Sequence, residues 1–280
     1  MNSNHLFSYF LQEILDQGQT IDTRNSITKR CIAQKAVFFE TPLVTLRKTA
    51  WKNALREMEW FLSGSDNLDQ LHPSVHKWWK PWADEDGTIL NNYSKQFRYS
   101  EGIRGEYPYE VDSCDQIQYL INAMKNHPFS RRTVATTWHP YDMTSNSFTP
   151  ITNCHGTVIQ MFVNPDNKAH MVMYQRSCDM LLGVPHNWIQ YWALLMWLCH
   201  KSGKDVGTFT WIGGDCHVYE DHFELAEEMI DASNSRLNTK RLNEIPKLIY
   251  TPSNQNFKAS DFSLDQEYIP LINKSAKMIV

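Results

Sequence analysis

The sequence has no excess of basic residues. Its 280 residues include 27 Lys and Arg against 31 Asp and Glu, which gives a formal net charge of −4 at pH 7. Proteins that bind nucleic acid through its phosphates usually present a strongly basic surface. We therefore expect no nucleic-acid partner, and an anionic ligand would need a local cluster of arginines.

Paired cysteine motifs and long apolar runs are also missing. The six cysteines form no C-x-x-C pair, and the first ten residues lack the basic and apolar regions of a secretory signal. We expect reduced thiols and a cytoplasmic protein. The most apolar window, Trp188 to Cys199, is too short to span a bilayer and contains Gln190. It predicts a buried helix and no membrane association.

Helical and strand-like patterns alternate along the chain without repeats, low-complexity tracts or linkers. This mixture predicts one α+β domain over residues 1–280 with a sizeable sheet. The predicted helices lie at 7–15, 50–62, 116–124, 185–200 and 220–230, and the predicted strands at 31–39, 133–138, 156–163, 170–174, 206–211 and 246–251. Residues 99–113 are predicted to be a loop insertion.

The densest group of polar residues follows the predicted strand at 170–174. It reads Gln175-Arg176-Ser177-Cys178-Asp179 and runs on through Leu182-Gly183-Val184-Pro185-His186-Asn187 into the apolar helix. A strand–turn–helix junction holds its backbone firmly, so that side chains converge there. Cys154 lies 21 residues before Gln175. A thiol, a cation and amides are the components of a covalent-catalysis site.

Several other residues have both a functional and an ordinary interpretation. Glu57 lies among aromatic residues, where burial would raise its pKa, but it also fits a solvated helix face. Arg131 and Arg132 are suited to binding a phosphate, although adjacent arginines are more often solvated. Cys178 and Cys199 are expected to be inert core thiols. Cys216 and His217 with His222 lack a fourth ligand, so we expect no metal site.

Taken in order, these motifs resemble the thymidylate synthase family over nearly the whole chain. No single motif is specific, but their number and order are. The matching stretches are Pro42-Leu43-Val44-Thr45, Glu57 with Trp60-Phe61-Leu62, Trp79 with Trp82-Ala83-Asp84-Glu85, Tyr93 with Lys95-Gln96, Ser130-Arg131-Arg132, Cys154-His155, Tyr174 to Asp179, Leu182-Gly183 with Pro185 and Asn187, and Gly213-Gly214-Asp215 with His217 and Tyr219.

The resemblance implies a large twisted mixed sheet flanked by helices, with one sheet face used for homodimerisation. It also implies that a thiolate adds to C6 of deoxyuridine monophosphate (dUMP), so that C5 can attack a one-carbon unit. Cys154 would be the nucleophile and Arg176 its activating cation. The implied phosphate ligands are Arg24, Arg176, Ser177 and, from the other subunit, Arg131 and Arg132.

The remaining roles also follow from the resemblance. Asn187 would read the uracil edge, and His217 and Tyr219 would hold the 3′-hydroxyl. Gln175 and Asp179 would also bind the substrate, and Asp179 would take part in catalysis. Glu57 would organise water and move protons, and Tyr93 would assist loss of the C5 proton. 5,10-Methylenetetrahydrofolate is the implied co-substrate. Its implied binding residues are Trp79, Trp82, Asp179, Leu182, Gly183, His186 and the carboxyl-terminal Val280.

The chain departs from the family pattern mainly at positions that become polar. Asn92, Ser94, Asn153 and His186 are such positions, and Asn25-Ser26-Ile27-Thr28 replaces a glycine–threonine loop. This favours the family's hydroxymethylase branch, in which water adds to the methylene and His186 would position that water. Such enzymes usually serve viruses with modified DNA, which would place the protein in the host cytoplasm. The alternatives are a thymidylate synthase and, more remotely, an inactive nucleotide- or RNA-binding regulator.

Overall fold

The computed structural model describes residues 2–23, 25–90, 92–104, 110–139 and 153–279. These residues form a mixed α+β structure in which helices flank a large sheet. The helices are α1 (Ser3–Gln17), α2 (Trp51–Ser63), α3 (His76–Trp79), α4 (Tyr93–Tyr99), α5 (Gln116–Asn126), α6 (Val184–Ser202), α7 (Phe223–Asn234) and α8 (Thr239–Asn243). The strands are β1 (Gln19–Asp22), β2 (Ile27–Phe38), β3 (Ser100–Arg104), β4 (Glu110–Cys114), β5 (Val134–Ala135), β6 (Val158–Val163), β7 (Lys168–Asp179), β8 (Asp205–Tyr219), β9 (Leu248–Tyr250) and β10 (Phe262–Leu264).

The central sheet has six strands within the described ranges, in the order β1-β2-β8-β7-β6-β5. Neighbouring strands are antiparallel except β7 and β8, which are parallel. A parallel pair needs a crossover, and α6 supplies it. All but three of the 19 residues of α6 are buried. The predicted buried helix is therefore confirmed, and it packs against β7 and β8 as well as against α2 and α5.

Aromatic side chains fill the space between α1, α6 and the sheet. The Trp188 ring lies 5.5 Å from Trp211, 4.7 Å from Phe38 and 5.6 Å from Phe7, centroid to centroid. Phe10 packs against both tryptophans. Offset and edge-to-face pairs of this kind add to the stabilisation that burial of the rings provides. This cluster anchors the strands and the helix that carry the candidate site.

The two central strands are longer than the sequence pattern predicts. Residues Gln175 to Asp179 continue β7 instead of leaving it, and the Gly213–Tyr219 segment continues β8. The two extensions pair with each other, with Ser177 opposite Asp215 and Asp179 opposite His217. Polar residues at a sheet end weaken the strand pattern locally, and only the partner strand completes it. The turn before α6 is therefore limited to residues 180–183.

Two further predictions about local structure are wrong. Residues 99–113 are not simply a loop, because β3 and β4 pair antiparallel with Ser100 opposite Cys114. The strand predicted at 133–138 shrinks to Val134–Ala135. In both cases pairing with another segment, which no local pattern reveals, decides the outcome. Within the described ranges no helix is both long and apolar enough to cross a membrane.

Candidate active site

Cys154 is held in place through its own backbone. Its carbonyl oxygen accepts hydrogen bonds from the backbone N–H groups of Arg176 at 2.8 Å and Ser177 at 3.4 Å. Its N–H donates to the Tyr93 hydroxyl at 2.7 Å. The thiol therefore lies where the start of α4 meets the end of β7. Backbone hydrogen bonds of this kind fix a side chain more tightly than surface packing alone.

The turn after Cys154 depends on glycine. Gly156 has φ +59°, and a Cβ atom there would collide with the Tyr191 hydroxyl. Any other L residue would be strained in this conformation and would push against a buried ring. The glycine thus lets the Cys154–His155 segment approach α6 closely.

A cation lies beside the candidate nucleophile. Arg176 Nη2 is 3.7 Å from Cys154 Sγ. The guanidinium carbon lies 5.2 Å from the centre of the Trp138 ring, a cation–π contact that helps to orient it. A guanidinium at this distance favours the thiolate, which is the reactive form of cysteine. Trp138 carries no motif, so sequence reasoning did not identify it.

His155 supplies no second charge to the thiol. Burial lowers the pKa of its imidazole to about 3, so the ring is neutral at physiological pH. Nδ1 lies 2.9 Å from the Tyr191 hydroxyl, and the ring stacks on Tyr93 at 4.3 Å. These contacts fit a residue that orients its neighbours and does not act on the thiol.

Glu57 is buried, with 7% of its surface exposed. Trp79 Nε1 donates to Oε1 at 2.6 Å, and Gln190 Nε2 donates to Oε2 at 2.9 Å. Desolvation outweighs these two hydrogen bonds and raises the pKa of the carboxyl group to about 7. A carboxyl group with such a pKa both accepts and releases protons near neutral pH.

Asn187 lies in the first turn of α6 and is buried. Its Oδ1 accepts from Gln175 Nε2 at 3.0 Å, and its Nδ2 lies 3.4 Å from Gln190 Oε1. An Asn amide has two donor hydrogens and two acceptor lone pairs. After these contacts, one donor and one acceptor remain for a ligand. From the sequence, Gln190 is only a polar residue inside an apolar window, and no sequence pattern indicates its contact with Asn187.

A second polar group lies at the ends of β2 and β8. His217 Nδ1 lies 3.2 Å from Asp215 Oδ1, and Arg30 Nη1 lies 2.9 Å from Asp215 Oδ2. The hydrogen bond from His217 and the charge of Arg30 hold the pKa of the Asp215 carboxyl below its usual range. Tyr219 packs edge-on against His217 at 5.2 Å. Arg30 belongs to no sequence motif, and Asp215 was noted only as a member of the Gly213-Gly214-Asp215 stretch.

Three of the residues expected to face folate, Asp179, Leu182 and Gly183, lie in or next to the turn before α6. Asp179 Oδ1 accepts from the backbone N–H groups of Leu181 and Leu182 at 3.0 and 2.9 Å. Trp79 is buried, whereas Trp82 is partly exposed. Gly183 lies at the start of α6, and a Cβ atom there would lie 3.4 Å from Asn187 Oδ1.

Not every predicted site residue joins this cluster. Arg131 and Arg132 are exposed in the turn before β5, and neither side chain makes a hydrogen bond or ion pair within the described part of the chain. Arg24 and Val280 lie outside the described residues. Among the residues that are described, no group of three or more His, Cys, Asp or Glu side chains is arranged to hold a metal ion.

Comparison with known proteins now identifies the family. A family model described as thymidylate synthase matches residues 5–280. The chain belongs to the thymidylate synthase family. It is therefore a transferase of the family that moves a one-carbon unit from methylenetetrahydrofolate to dUMP.

Curated relatives of this family cover much of the chain. A thymidylate synthase from Corynebacterium aurimucosum is 36% identical over 68% of this chain and 66% of its own length. One from Vesicomyosocius okutanii is 31% identical over 80% of this chain and 81% of its own length. One from Francisella philomiragia is 31% identical over 90% of this chain and 93% of its own length. These names favour the synthase alternative over the expected hydroxymethylase.

Within the family, the four polar departures are engaged in the protein's own structure. The Asn92 side chain caps α4 by accepting from Lys95 N–H, and Ser94 Oγ donates to the Trp60 carbonyl. Asn153 Nδ2 donates to the Thr137 carbonyl at 2.8 Å. The side chains of these three residues therefore stabilise the local structure, whether or not they also contact a ligand.

His186 differs most clearly from its expected role in binding water. Its Nδ1 donates to the Leu182 carbonyl at 2.7 Å, and its Nε2 accepts from Ala50 N–H at 3.0 Å. Burial and the nearby Arg47 charge lower the pKa of the imidazole to about 3, so the ring stays neutral. A neutral imidazole offers one donor and one acceptor, and both are used. The ring has no nitrogen left to hold a water.

Proposed function

We propose that this protein is a thymidylate synthase, which converts dUMP to thymidylate by reductive methylation and releases dihydrofolate. The observation that carries this choice is the engagement of both His186 ring nitrogens. A polar ring at this position is one of the sequence features that favour water as the final nucleophile. A ring with no available nitrogen gives water no such advantage.

The first chemical step is assigned to Cys154 and Arg176. The Cys154 thiolate adds to C6 of the uracil ring, and the electron pair of the C5–C6 bond moves towards O4. Arg176, 3.7 Å from the sulfur, favours the thiolate, and we assign it to the nucleotide phosphate as well. Asn187 Nδ2 donates to O4, where negative charge develops. C5 thereby becomes the nucleophile of the reaction.

The later steps depend on proton transfer. Methylenetetrahydrofolate supplies the one-carbon unit and then the hydride that reduces it. Glu57, with its pKa near 7, gives and takes protons at the substrate side of α2. Tyr93 keeps its proton because burial raises its pKa well above the usual value. The Tyr93 oxygen accepts hydrogen bonds from the backbone N–H groups of Cys154 and His155. The hydroxyl proton of Tyr93 therefore points away from these two groups and is available to a base or water near C5.

The folate side of the site fits a flat ring with polar edges. Trp82 and Leu182 are partly exposed, and Asp179 Oδ1 is used by the turn before α6. Asp179 Oδ2 makes no hydrogen bond to any residue that the structure describes, so it remains an acceptor for a ring N–H group. We assign the folate-facing surface to these residues together with Trp79, Gly183 and His186.

The active form is proposed to be a homodimer that packs through the exposed face of the central sheet. That face carries apolar side chains of β2, β6 and β7, among them Ile32, Val158, Phe162 and Tyr174, and Ile32 is 72% exposed. A contiguous exposed apolar face usually marks an interface. Arg131 and Arg132 are exposed in the turn before β5, and their side chains have no partner among the residues that the structure describes, which suits phosphate binding in the other subunit.

A product assay tests the proposal. Purified enzyme is incubated with dUMP and methylenetetrahydrofolate, and product mass and dihydrofolate absorbance are followed together. We expect thymidylate with an equal amount of dihydrofolate. His186→Phe is expected to leave this product unchanged, because His186 binds no reacting water. A product heavier than thymidylate by one oxygen, with tetrahydrofolate released, would overturn the proposal.

Hydroxymethylation remains the second candidate because of two buried polar atoms. Asn92 Nδ2 and Asn153 Oδ1 are shielded from solvent and have no hydrogen-bond partner among the described residues. Their residues immediately precede Tyr93 and Cys154. A donor and an acceptor of this kind are suited to an ordered water. The same assay separates the two candidates, since water as the final nucleophile gives 5-hydroxymethyldeoxyuridylate.

A further inference from the structure

Gln190 is a fully buried amide on an otherwise apolar helix. It lies three residues after Asn187, so both side chains are on the same face of α6. Its Nε2 donates to Glu57 Oε2 at 2.9 Å and to the Ala54 carbonyl at 3.1 Å. Its Oε1 lies 3.4 Å from Asn187 Nδ2. Every contact of this amide therefore runs to α2 or to Asn187.

The orientation of the Gln190 amide is fixed by its partners. The Ala54 carbonyl oxygen only accepts hydrogen bonds, so the group facing it must be Nε2. A flipped amide would place Oε1 against that carbonyl and against the Glu57 carboxyl. Oε1 consequently faces Asn187, where only an N–H group is compatible.

The opposite side of Asn187 is fixed in the same way. Trp211 Nε1, which only donates, lies 2.9 Å from Gln175 Oε1. Gln175 must therefore present Nε2 to Asn187, and that contact is 3.0 Å long. The polarity of the Asn187 amide is thus set from both ends, by an indole N–H on β8 and by a backbone carbonyl on α2.

We propose that Gln190 is a specificity-determining residue that, together with Gln175, holds Asn187 in the orientation that accepts uracil and rejects cytosine. The remaining Nδ2 hydrogen matches O4 of uracil, and the remaining Oδ1 lone pair matches its N3–H. Cytosine presents a donor and an acceptor in the reverse order. This proposal rests on the proposed function only in taking Asn187 as the residue that reads the base.

To bind cytosine, the Asn187 amide would have to turn over, and this would break its hydrogen bonds to both Gln175 and Gln190. Its Nδ2 would face Gln175 Nε2, and its Oδ1 would face Gln190 Oε1, so that two donors and two acceptors would oppose each other. Neither glutamine can turn to relieve this, because Trp211 and Ala54 hold them. A buried polar group left without a partner usually lowers affinity by about ten- to a hundredfold.

The same Gln190 Nε2 also contacts the carboxyl group of Glu57. One amide therefore connects the residue that reads the base with the residue assigned to proton transfer. A base that turned Asn187 would disturb Gln190 and, through it, Glu57. Gln190 is a positioning residue in this account, since it reaches the substrate only through its neighbours.

Equilibrium binding of dUMP and deoxycytidine monophosphate, measured by calorimetry without folate, tests the proposal. Wild-type enzyme should prefer dUMP by about a hundredfold or more. Gln190→Met keeps the volume but removes the amide, so this preference should fall at least about tenfold. The matched control is Gln116→Met, a buried glutamine on α5 that donates to the Gln96 and Thr136 carbonyls. It should keep the wild-type preference.

A second variant covers the case in which Gln190→Met does not fold. Trp211→Phe removes only the indole N–H and part of the ring, and it should also reduce the preference for dUMP. A folded Gln190→Met enzyme with wild-type preference, or an unchanged preference in Trp211→Phe when Gln190→Met cannot be studied, would overturn the proposal. Because binding is measured without turnover, an enzyme that makes the hydroxymethyl product but loses its preference in Gln190→Met still supports it.

Discussion

Arg176 contacts Cys154 through both its side chain and its backbone. Nη2 lies 3.7 Å from the Cys154 sulfur, and the Arg176 N–H donates to the Cys154 carbonyl at 2.8 Å. The two residues are 22 positions apart in sequence, and the end of β7 brings them together. The cation that favours the thiolate is therefore fixed to the same backbone that positions the thiol.

Replacing the nucleophile should separate chemistry from binding. Cys154→Ala is expected to reduce turnover by about 10³-fold or more, while dUMP still binds through Arg176 and Asn187. Steady-state rates and calorimetric binding provide the measurement. Cys178→Ala is the control, because Cys178 is fully buried and burial raises the pKa of its thiol well above the usual value. Appreciable activity in Cys154→Ala would exclude the covalent mechanism.

The raised pKa of Glu57 predicts a pH-dependent cost in stability. Folding raises this pKa from 4.5 to about 7, so the folded state binds more protons between these values and loses stability as pH rises through them. Glu57→Gln cannot ionise and should lack that loss. The unfolding free energy of the variant, relative to wild type, should rise by about 3 kcal/mol between pH 5 and pH 8.

Denaturant unfolding at several pH values measures this difference. Glu59→Gln is the matched control two residues away, since Glu59 is partly exposed and pairs with Lys258 at 2.8 Å. The difference in unfolding free energy between Glu59→Gln and wild type should change little between pH 5 and pH 8. Parallel stability curves for Glu57→Gln and wild type would contradict the buried, proton-binding state of Glu57.

Subunit complementation tests whether Arg131 and Arg132 act in the partner's site. Mixing inactive Cys154→Ala chains with inactive Arg131→Ala, Arg132→Ala chains should restore activity, because each hybrid dimer then contains one intact site. At random exchange, half of the dimers are hybrids and half of their sites are intact. We therefore expect about a quarter of wild-type activity, as follows from independent sites.

The control for complementation is a mixture of Cys154→Ala and Arg176→Ala chains. Arg176 lies 3.7 Å from Cys154 of its own chain, so every site in that hybrid keeps one defect. No activity should return in this mixture. If the arginine pair instead gave no rescue although subunit exchange was confirmed, shared active sites would be excluded.

Asp215 should matter only for substrates with a 3′-hydroxyl. Because Asp215 accepts from His217 Nδ1, it leaves Nε2 of that ring as the acceptor for a hydroxyl proton. Asp215→Asn should weaken dUMP binding by about tenfold. Binding of 2′,3′-dideoxyuridine monophosphate should hardly change.

Asp205→Asn is the matched control, since Asp205 is exposed at the opposite end of β8. It should leave the affinity for both nucleotides unchanged. Equal losses for the deoxy and dideoxy nucleotides in Asp215→Asn would show that Asp215 stabilises the fold without orienting His217.

The sequence by itself determined the fold class, the family and the identity of the central polar motif. The buried helix α6 was predictable because its long apolar run is a local property, independent of what packs around it. The motif from Gln175 to Asp179 with Cys154 was recognisable because the residue types and their order carry the chemistry. The position of residues Gln175 to Asp179 at the end of a strand was not recognisable, because this part of β7 forms only through pairing with β8.

Only the tertiary structure decided how the polar residues of the site are used. His186 reaches Ala50 and Gln190 reaches Ala54, and each pair is 136 positions apart in sequence. Hydrogen bonding depends on the distance and direction between two groups, and the packing of α2 against α6 sets both. From the sequence, His186 therefore resembled a ligand for water and Gln190 an incidental polar residue, whereas their contacts across these helices make both of them fixed parts of the site.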